Sequence, residues 1–487
     1  MSEQILLRGK ILGIEEFLLS PAGPGESASA GREDLLSARA QWIALLGEVL
    51  PRALLAELGL ARILLGSSGG AQFLLVLPGE ARTPAEDFLR AAAADASHLS
   101  NGIVSLVWAV TENLGDWSAV RKRLNEEMDR KRGAPLASGA SFEPFDAAES
   151  APAGDYFTPQ FSTAIREAST VGWNPETPGR ILPGTGKHVW RITTNVSADG
   201  ITVARHAAPG DGDAAPATLG ELASRAPGKP AWGVLRGDVD DFNVRLRRVQ
   251  TIEEYVPLSV LYKHFFAGEL EVLCSLPEFW RKVTVLYSGG DDFAVYGSWD
   301  ALIALARELQ RLFHRFTEEN LKEYPGAEGK TITMALAVAE SQDAPLAAVY
   351  EEAGRNLDIA KAADKDCIYV LGRVLEWKQL ADAAELKDTV LRMLPNPSTA
   401  RPVLLELRGI YGKVSATGFA RAAEARIEKV WRFHRRLNLI LGGDREKEFQ
   451  KLRAHLAGEI AGRKTRKLKL RPSGLVALEW ALMFTEV

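Results

Sequence analysis

The sequence predicts an α+β protein: two copies of one fold in tandem, an irregular connecting region between them, and a C-terminal α-helical bundle. Three observations carry this. Strand-like and helix-like apolar patterns alternate over residues 1–131 and again over 231–375. Gly, Pro, Ala and Asp dominate residues 132–230, as in Pro152-Ala153-Gly154-Asp155 and Pro209-Gly210-Asp211-Gly212-Asp213. Over 376–487, apolar positions fall three or four apart, notably in 419–441 and 449–460, and no convincing strand is read. A chain of 487 residues suits several domains rather than one core.

In the first copy, residues 5–12 and 17–19 are apolar enough for strands, and 35–58 carries helical spacing. Two further strands, 61–65 and 73–77, flank the turn Gly66-Ser67-Ser68-Gly69-Gly70. A helix near 85–96, a strand at 103–110 and a helix near 117–131 follow. The connecting region offers one small hairpin, around 188–202. In the second copy a strand at 232–239 runs into Asp240-Asp241-Phe242, and 252–273 is helical. Strands 283–287 and 293–296 then flank Ser288-Gly289-Gly290-Asp291-Asp292. A helix (299–324), a strand (331–339), a helix (345–363) and a strand (367–371) complete the unit.

Lys+Arg number 59 and Asp+Glu 63, a net charge of −4, so no global basic field points to nucleic acid. The average conceals an asymmetry. From Leu391 onward there are 20 Lys+Arg against 9 Asp+Glu, a balance of +11, which leaves −15 for the rest. A basic terminal module on an acidic body implies a local anionic partner. Two cysteines, Cys274 and Cys367, support neither a zinc ribbon nor a disulfide framework. No apolar run approaches the roughly 20 residues that span a bilayer. The start, MSEQILLRGK, lacks signal-peptide order. A cytoplasmic location without membrane contact is expected.

The two copies align at their motifs. Gly13-Ile14-Glu15-Glu16-Phe17 matches Asp238-Val239-Asp240-Asp241-Phe242, which places Gly13 where Asp238 stands; Gly69-Gly70-Ala71-Gln72-Phe73 matches Gly289-Gly290-Asp291-Asp292-Phe293. Only the second copy keeps the turn carboxylates, so they are not needed for the turn itself. An aspartate ending one strand and a pair at a neighbouring hairpin can converge on hard divalent cations, which take carboxylates, waters and substrate phosphates. Asp238, Asp291 and Asp292 are therefore the predicted metal and catalytic set, for two Mg²⁺ or Mn²⁺ ions about 4 Å apart. Such ions activate a hydroxyl and neutralise a leaving pyrophosphate. Gly289 and Gly290 leave room for a triphosphate and allow positive φ. The alternative for Asp240 and Asp241 is helix capping.

Asp238-Val239-Asp240-Asp241-Phe242 followed by Tyr287-Ser288-Gly289-Gly290-Asp291-Asp292-Phe293 resembles the ferredoxin-like palm of polymerases and nucleotide cyclases. Two palms in tandem, the first acid-free, with a helical tail, resemble the large palm-domain subunit of type III CRISPR effector complexes. The resemblance implies a degenerate palm over 1–131, a catalytic palm over 231–375, and synthesis of cyclic oligoadenylates from ATP once target RNA is recognised through a guide RNA. It implies nucleotide contacts from Val239, Asp240, Ser288, Gly289, Gly290, Lys361 and Lys365. For the two lysines the alternative is a solvated helix end favoured by the helix dipole. Guide RNA, target RNA and the backbone and small effector subunits are the implied partners.

The sequence departs from that family in two places. It has no His-Asp dipeptide, so an HD-less variant without DNA cleavage is expected, and 132–230 has no cysteine for a zinc ribbon. In diguanylate cyclases an asparagine that reads guanine follows the first motif, but the corresponding position here is Leu246. Arg432, Arg435, Arg436, Arg463, Lys464, Arg466 and Lys467 are candidate RNA-phosphate contacts, with a charged outer helix face as the alternative. Two other functions stay open, a stand-alone nucleotide cyclase making cyclic dinucleotides and a non-catalytic scaffold.

Overall fold

The computed structural model describes residues 4–20, 32–133, 156–193, 200–212, 216–394, 396–410, 450, 454, 461–464, 467–470 and 472–486. The first unit runs β1 (Gln4–Leu12), α1 (Ile14–Leu19), α2 (Arg32–Glu57), β2 (Leu65–Gly69), β3 (Gln72–Pro78), α3 (Arg82–Leu99), β4 (Ser105–Glu112) and α4 (Trp117–Gly133). Its antiparallel sheet has the order β2-β3-β1-β4. The strand expected at 17–19 is instead part of α1. Gly13, at φ 77°, turns the chain out of β1, and Glu15 and Glu16 then suit the first helical turn. Residues Arg62–Leu64 form a short 3₁₀ turn, so β2 starts only at Leu65.

The connecting region holds more regular structure than its composition suggests. It contains α5 (Pro159–Glu167), β5 (Thr170–Trp173), β6 (Leu182–Pro183), β7 (His188–Thr193), β8 (Gly200–Thr202) and α6 (Leu219–Ser224). The four strands form a sheet in the order β6-β5-β7-β8, and β7 pairs with β8 in parallel, not as the expected hairpin. Short strands escaped the sequence reading because the backbone meets tightly where side chains are small. A Cβ on Gly172 would lie 1.6 Å from the Thr185 carbonyl oxygen. Val171, Trp173, Ile181 and Ile201 then join the core of the first unit.

The second unit has β9 (Trp232–Val239), α7 (Phe242–Arg248), α8 (Ile252–His264), α9 (Leu270–Cys274), β10 (Val283–Ser288), β11 (Asp292–Ser298), α10 (Trp299–Asn320), β12 (Ile332–Val338), α11 (Leu346–Ala363), β13 (Cys367–Val370) and β14 (Arg373–Glu376). Its sheet order is β10-β11-β9-β12-β13-β14, so its first four strands repeat the order of the first unit. The π-turn Phe265–Glu269 joins α8 to α9. Downstream, α12 (Trp377–Met393) and α13 (Pro397–Ile410) pack with helix Pro472–Phe484, whose apolar residues join the core of the second unit. The expectation of no strands in this part is corrected by β15 (Ala461–Lys464) and β16 (Lys467–Leu470), an antiparallel hairpin. The helices expected at 419–441 and 449–460 lie largely outside the described residues.

Strand pairing re-registers the repeat. Gly9 sits opposite Phe73, and Gly237 opposite Phe293. In each pair a Cβ on the glycine would lie inside the phenyl ring, at 2.1 and 2.3 Å from its nearest carbon. One packing device therefore recurs in both units. Counting from it, Lys10, not Gly13, occupies the position of Asp238, since Lys10 pairs with Gln72 as Asp238 pairs with Asp292. Gly13 corresponds to Asp241, and both are left-handed residues (φ 77° and 55°) that start a helix. The sequence alignment placed the acidic runs together; the sheet places the packing residues together.

Candidate active site

Asp238 ends β9 and Asp292 begins β11, directly opposite each other in the ladder. Asp291 precedes them in the turn, where its carbonyl accepts from the Val239 amide at 2.9 Å, and the Gly289 amide donates to the Asp292 carbonyl at 2.7 Å. The turn glycines serve space rather than twist. A Cβ on Gly289 would lie 2.0 Å from Asp292 Oδ1, and neither Gly289 nor Gly290 adopts positive φ. The expected positive φ occurs in the first unit instead, at Gly69 (135°) and Gly70 (57°). Ser288 Oγ donates to the Phe266 carbonyl at 2.6 Å, inside the π-turn, whose irregular backbone leaves that carbonyl accessible.

Three carboxylates at one strand end strain each other. Burial, reinforced by Asp292 and Asp238, pushes Asp291 well above the usual carboxylate range. Burial and then the Asp238 charge push Asp292 up to about 6, against the Tyr287 hydroxyl that donates to its Oδ2 at 3.2 Å. Asp238 is raised by burial and relieved by Lys361, whose Nζ lies 2.7 Å from Oδ1. A site with surplus negative charge and hard oxygen donors fits a divalent cation. Among the described residues no group of three or more His, Cys, Asp or Glu side chains is arranged to hold a metal ion. Mg²⁺ usually takes one or two carboxylates and completes its shell with water and phosphate, and Asp238 and Asp292, opposite each other, offer such a pair.

The other predicted residues divide. Lys361 is at the site. Lys365, at φ 57°, pairs with Asp241 at 2.7 Å near the start of α7. Asp240 is removed from the nucleotide set. Its carboxylate is buried and accepts from Thr331 Oγ1 (2.8 Å), Thr333 Oγ1 (2.7 Å) and the Asp366 amide (3.0 Å). It does not cap α7 but anchors the loop that presents Lys365. β9 ends at Val239 and the chain turns at Asp241 (φ 55°), so strand periodicity does not carry Asp240 to the position of Asp238. Arg463, Lys464 and Lys467 lie on the β15–β16 hairpin, while Arg432, Arg435, Arg436 and Arg466 fall outside the described residues.

Between the two units lies a cleft of about 210 Å³, bordered by Gly69, Gly70, Ser288, Gly289 and Asp292. The two glycine turns touch: a Cβ on Gly70 would sit 3.0 Å from the Gly290 nitrogen. At the cleft wall, Glu48 of α2 meets Lys263 of α8 at 2.7 Å, with Arg52 at 2.9 Å and Ser68 Oγ at 2.9 Å. Burial opposes the Glu48 charge, but Lys263 and Arg52 overcome it and hold its carboxyl below the usual range. Arg236 lies over the Tyr350 ring at 4.2 Å and pairs with Glu15 at 2.9 Å. None of this second group was read from the sequence. Its members are scattered over six elements, and no local pattern links them.

Residues 231–369 match the family described as Cas10/Cmr2, second palm domain. The match covers the strand end, the turn and Lys361 of the site above. The chain is 25% identical over 171 residues to the Cas10/Csm1 single-strand-specific deoxyribonuclease (subtype III-A) of Thermococcus onnurineus. That alignment covers 32% of this chain but only 21% of the relative. In fold the likeness extends over nearly everything. The Csm1–Csm4 cassette in complex with cA3 superposes with a TM-score of 0.68 at 18% identity, covering 99% of this chain and 70% of that one. The same cassette in complex with AMPPNP gives 0.70 at 18% identity, with 99% and 70% covered. The second unit thus matches the Cas10/Cmr2 second palm, and the fold of the chain is similar to that of Csm1. Among the described residues no helix is long and apolar enough to cross a membrane.

Proposed function

We propose that the protein is the large subunit of a type III CRISPR effector complex and joins ATP into cyclic oligoadenylates when target RNA is recognised. The observation that carries this is the opposition of Asp238 and Asp292, with Asp291 beside them, where Asp292 borders the cleft between the palms. Support comes from the likeness to cassettes solved with cA3 and AMPPNP. In the reaction a ribose 3′-oxygen attacks the α-phosphorus, its proton leaves, and the bond to pyrophosphate breaks. Bound Mg²⁺ or Mn²⁺ would be held by Asp238, Asp291 and Asp292 and would supply Lewis-acid neutralisation of charge on the phosphates.

The chain's own groups do the rest. Tyr287 orients Asp292 through its hydroxyl. Gly289 leaves the Asp292 carboxylate unobstructed. Lys361 supplies positive charge beside Asp238, and Lys365, anchored through Asp240 and Asp366, supplies it at the loop. The partners proposed are guide RNA, target RNA, and backbone and small effector subunits, with a Csm4-like neighbour suggested by the solved cassettes. The basic β15–β16 hairpin is proposed to contact RNA.

The test incubates the protein, alone and in its guide–target assembly, with Mg²⁺ and ATP or GTP, and resolves products by mass spectrometry. Cyclic adenylates made only with target RNA, and lost in Asp291→Ala/Asp292→Ala, are expected. Product without RNA would show a stand-alone cyclase. The absence of product from either nucleotide in the full assembly would leave a scaffold.

A further inference from the structure

The re-registered repeat puts a lysine where the second palm has its strand-end aspartate. Its neighbours also lose their acids: Ala71 stands for Asp291 and Gln72 for Asp292. Lys10 is half-buried, and among the described residues no hydrogen bond or ion pair ties its ammonium. Arg8, two residues earlier on the same face, spends its donors on neutral acceptors, Asn125 Oδ1 at 2.9 Å and Gln72 Oε1 at 3.0 Å. The end of β1 therefore carries positive charge with no local counter-charge. The turn next to it abuts Gly290 of the second palm. Two palms facing each other through their glycine turns place the end of β1 opposite the carboxylate end of β9.

We propose that Lys10 is a phosphate-binding residue contributed by the first palm, across the interface, to the triphosphate of a nucleotide held at Asp291 and Asp292. The carboxylates that act on the Lys10 ammonium are those two, both from the other palm. Burial holds Lys10 below the ordinary lysine range, helped by Arg132 and Arg8, while Asp291 and Asp292 act in the opposite direction. A half-buried cation with no anion of its own, close to a site of surplus carboxylate charge, is a poor structural element. A polyphosphate lying between them neutralises it. The first palm has thus exchanged metal-binding acids for a cation. It still serves the same reaction, by a different means of neutralising phosphate.

The inference rests on the nucleotide reading above, and its test separates the two. ATP, ADP and AMP are titrated calorimetrically against the full chain, with Mg²⁺ and with EDTA, for wild type, Lys10→Met and Lys10→Arg. Met keeps the aliphatic stem, so packing is retained; thermal unfolding checks this. Lys10→Met is expected to weaken ATP about 10-fold while AMP changes less than about 2-fold, and Lys10→Arg to restore most of the ATP affinity. Equal ATP affinity in wild type and Lys10→Met, or equal losses for ATP and AMP, overturns the role of Lys10. If wild type then still yields cyclic adenylates in its assembly, only this inference fails. A wild-type chain that binds no ATP overturns both.

Discussion

The two palms share a sheet order, a glycine–phenylalanine packing pair and a double-glycine turn, yet their strand ends carry opposite charge. In the first palm the turn twists through left-handed Gly69, Gly70 and Ala71 and is free of acid. In the second it runs without positive φ at its glycines and crowds three half-buried carboxylates into one corner. The first palm is an internal control. It shows that the scaffold folds without those acids, so their mutual repulsion is an energetic cost that the fold does not require. A cost retained in one copy and absent from the other is what the proposed catalytic role of these acids predicts.

The comparison breaks most sharply at the acids. Asp291→Ala in the assembled complex is expected to lower cyclic adenylate formation by about 10²–10³-fold or more, while Ala71→Gly at the matching place in the first palm leaves it within about 3-fold. Product quantified by mass spectrometry decides; equal effects at both turns would mean that the palms are functionally equivalent. Next comes the contact between palms. Glu48→Gln leaves Lys263 and Arg52 buried without their carboxylate and should cost about 3–5 kcal/mol of stability in denaturant unfolding. Lys263→Met should cost less, because Arg52 still neutralises Glu48.

A smaller effect sharpens the steric contrast. Gly289→Ala drives a methyl into Asp292 Oδ1 and is expected to reduce turnover about 10–100-fold with little change in thermal midpoint. The smallest effect concerns metal-free stability. Asp292 titrates at about 6 in the folded chain against 3.8 unperturbed, so the folded state binds its proton more tightly than the unfolded state does. Its stabilising contribution is complete below about 3.8 and is lost as pH rises through about 6. Asp292→Asn should therefore raise stability at pH 7 by on the order of 1–3 kcal/mol without Mg²⁺ and should blunt the stabilisation that Mg²⁺ brings. Thermal melts at pH 5 and 7, with and without Mg²⁺, measure this. A destabilised Asn variant at pH 7 would contradict the strained-carboxylate account.

Much of the site could be read locally. The run ending in Asp238 and the turn Gly289–Asp292 each occupy a few consecutive residues, with spacing set by the strands they terminate. Lys361 came from family resemblance and is found on Asp238. Asp240 lies just past the end of β9, where the chain turns toward α7 and Thr331, Thr333 and the Asp366 amide receive its carboxylate. Lys10 was missed because the repeat was aligned on its acidic runs; Gly9 and Phe73 would have supplied the register. The connecting sheet escaped because its strands are two to six residues long and interrupted by glycines.

By itself the amino-acid sequence determined that two α+β units repeat, that only the second carries acid at its turn, and that the tail is basic. These are properties of residue type and short spacing, which the chain carries before it folds. Tertiary structure alone decided that Lys10 answers Asp238, that Glu48 and Lys263 meet across 215 residues, and that the two glycine turns touch at a shared cleft. Strand register and the packing of one palm on the other bring together groups that no local pattern connects, because each depends on which backbone rows align and which surfaces exclude water.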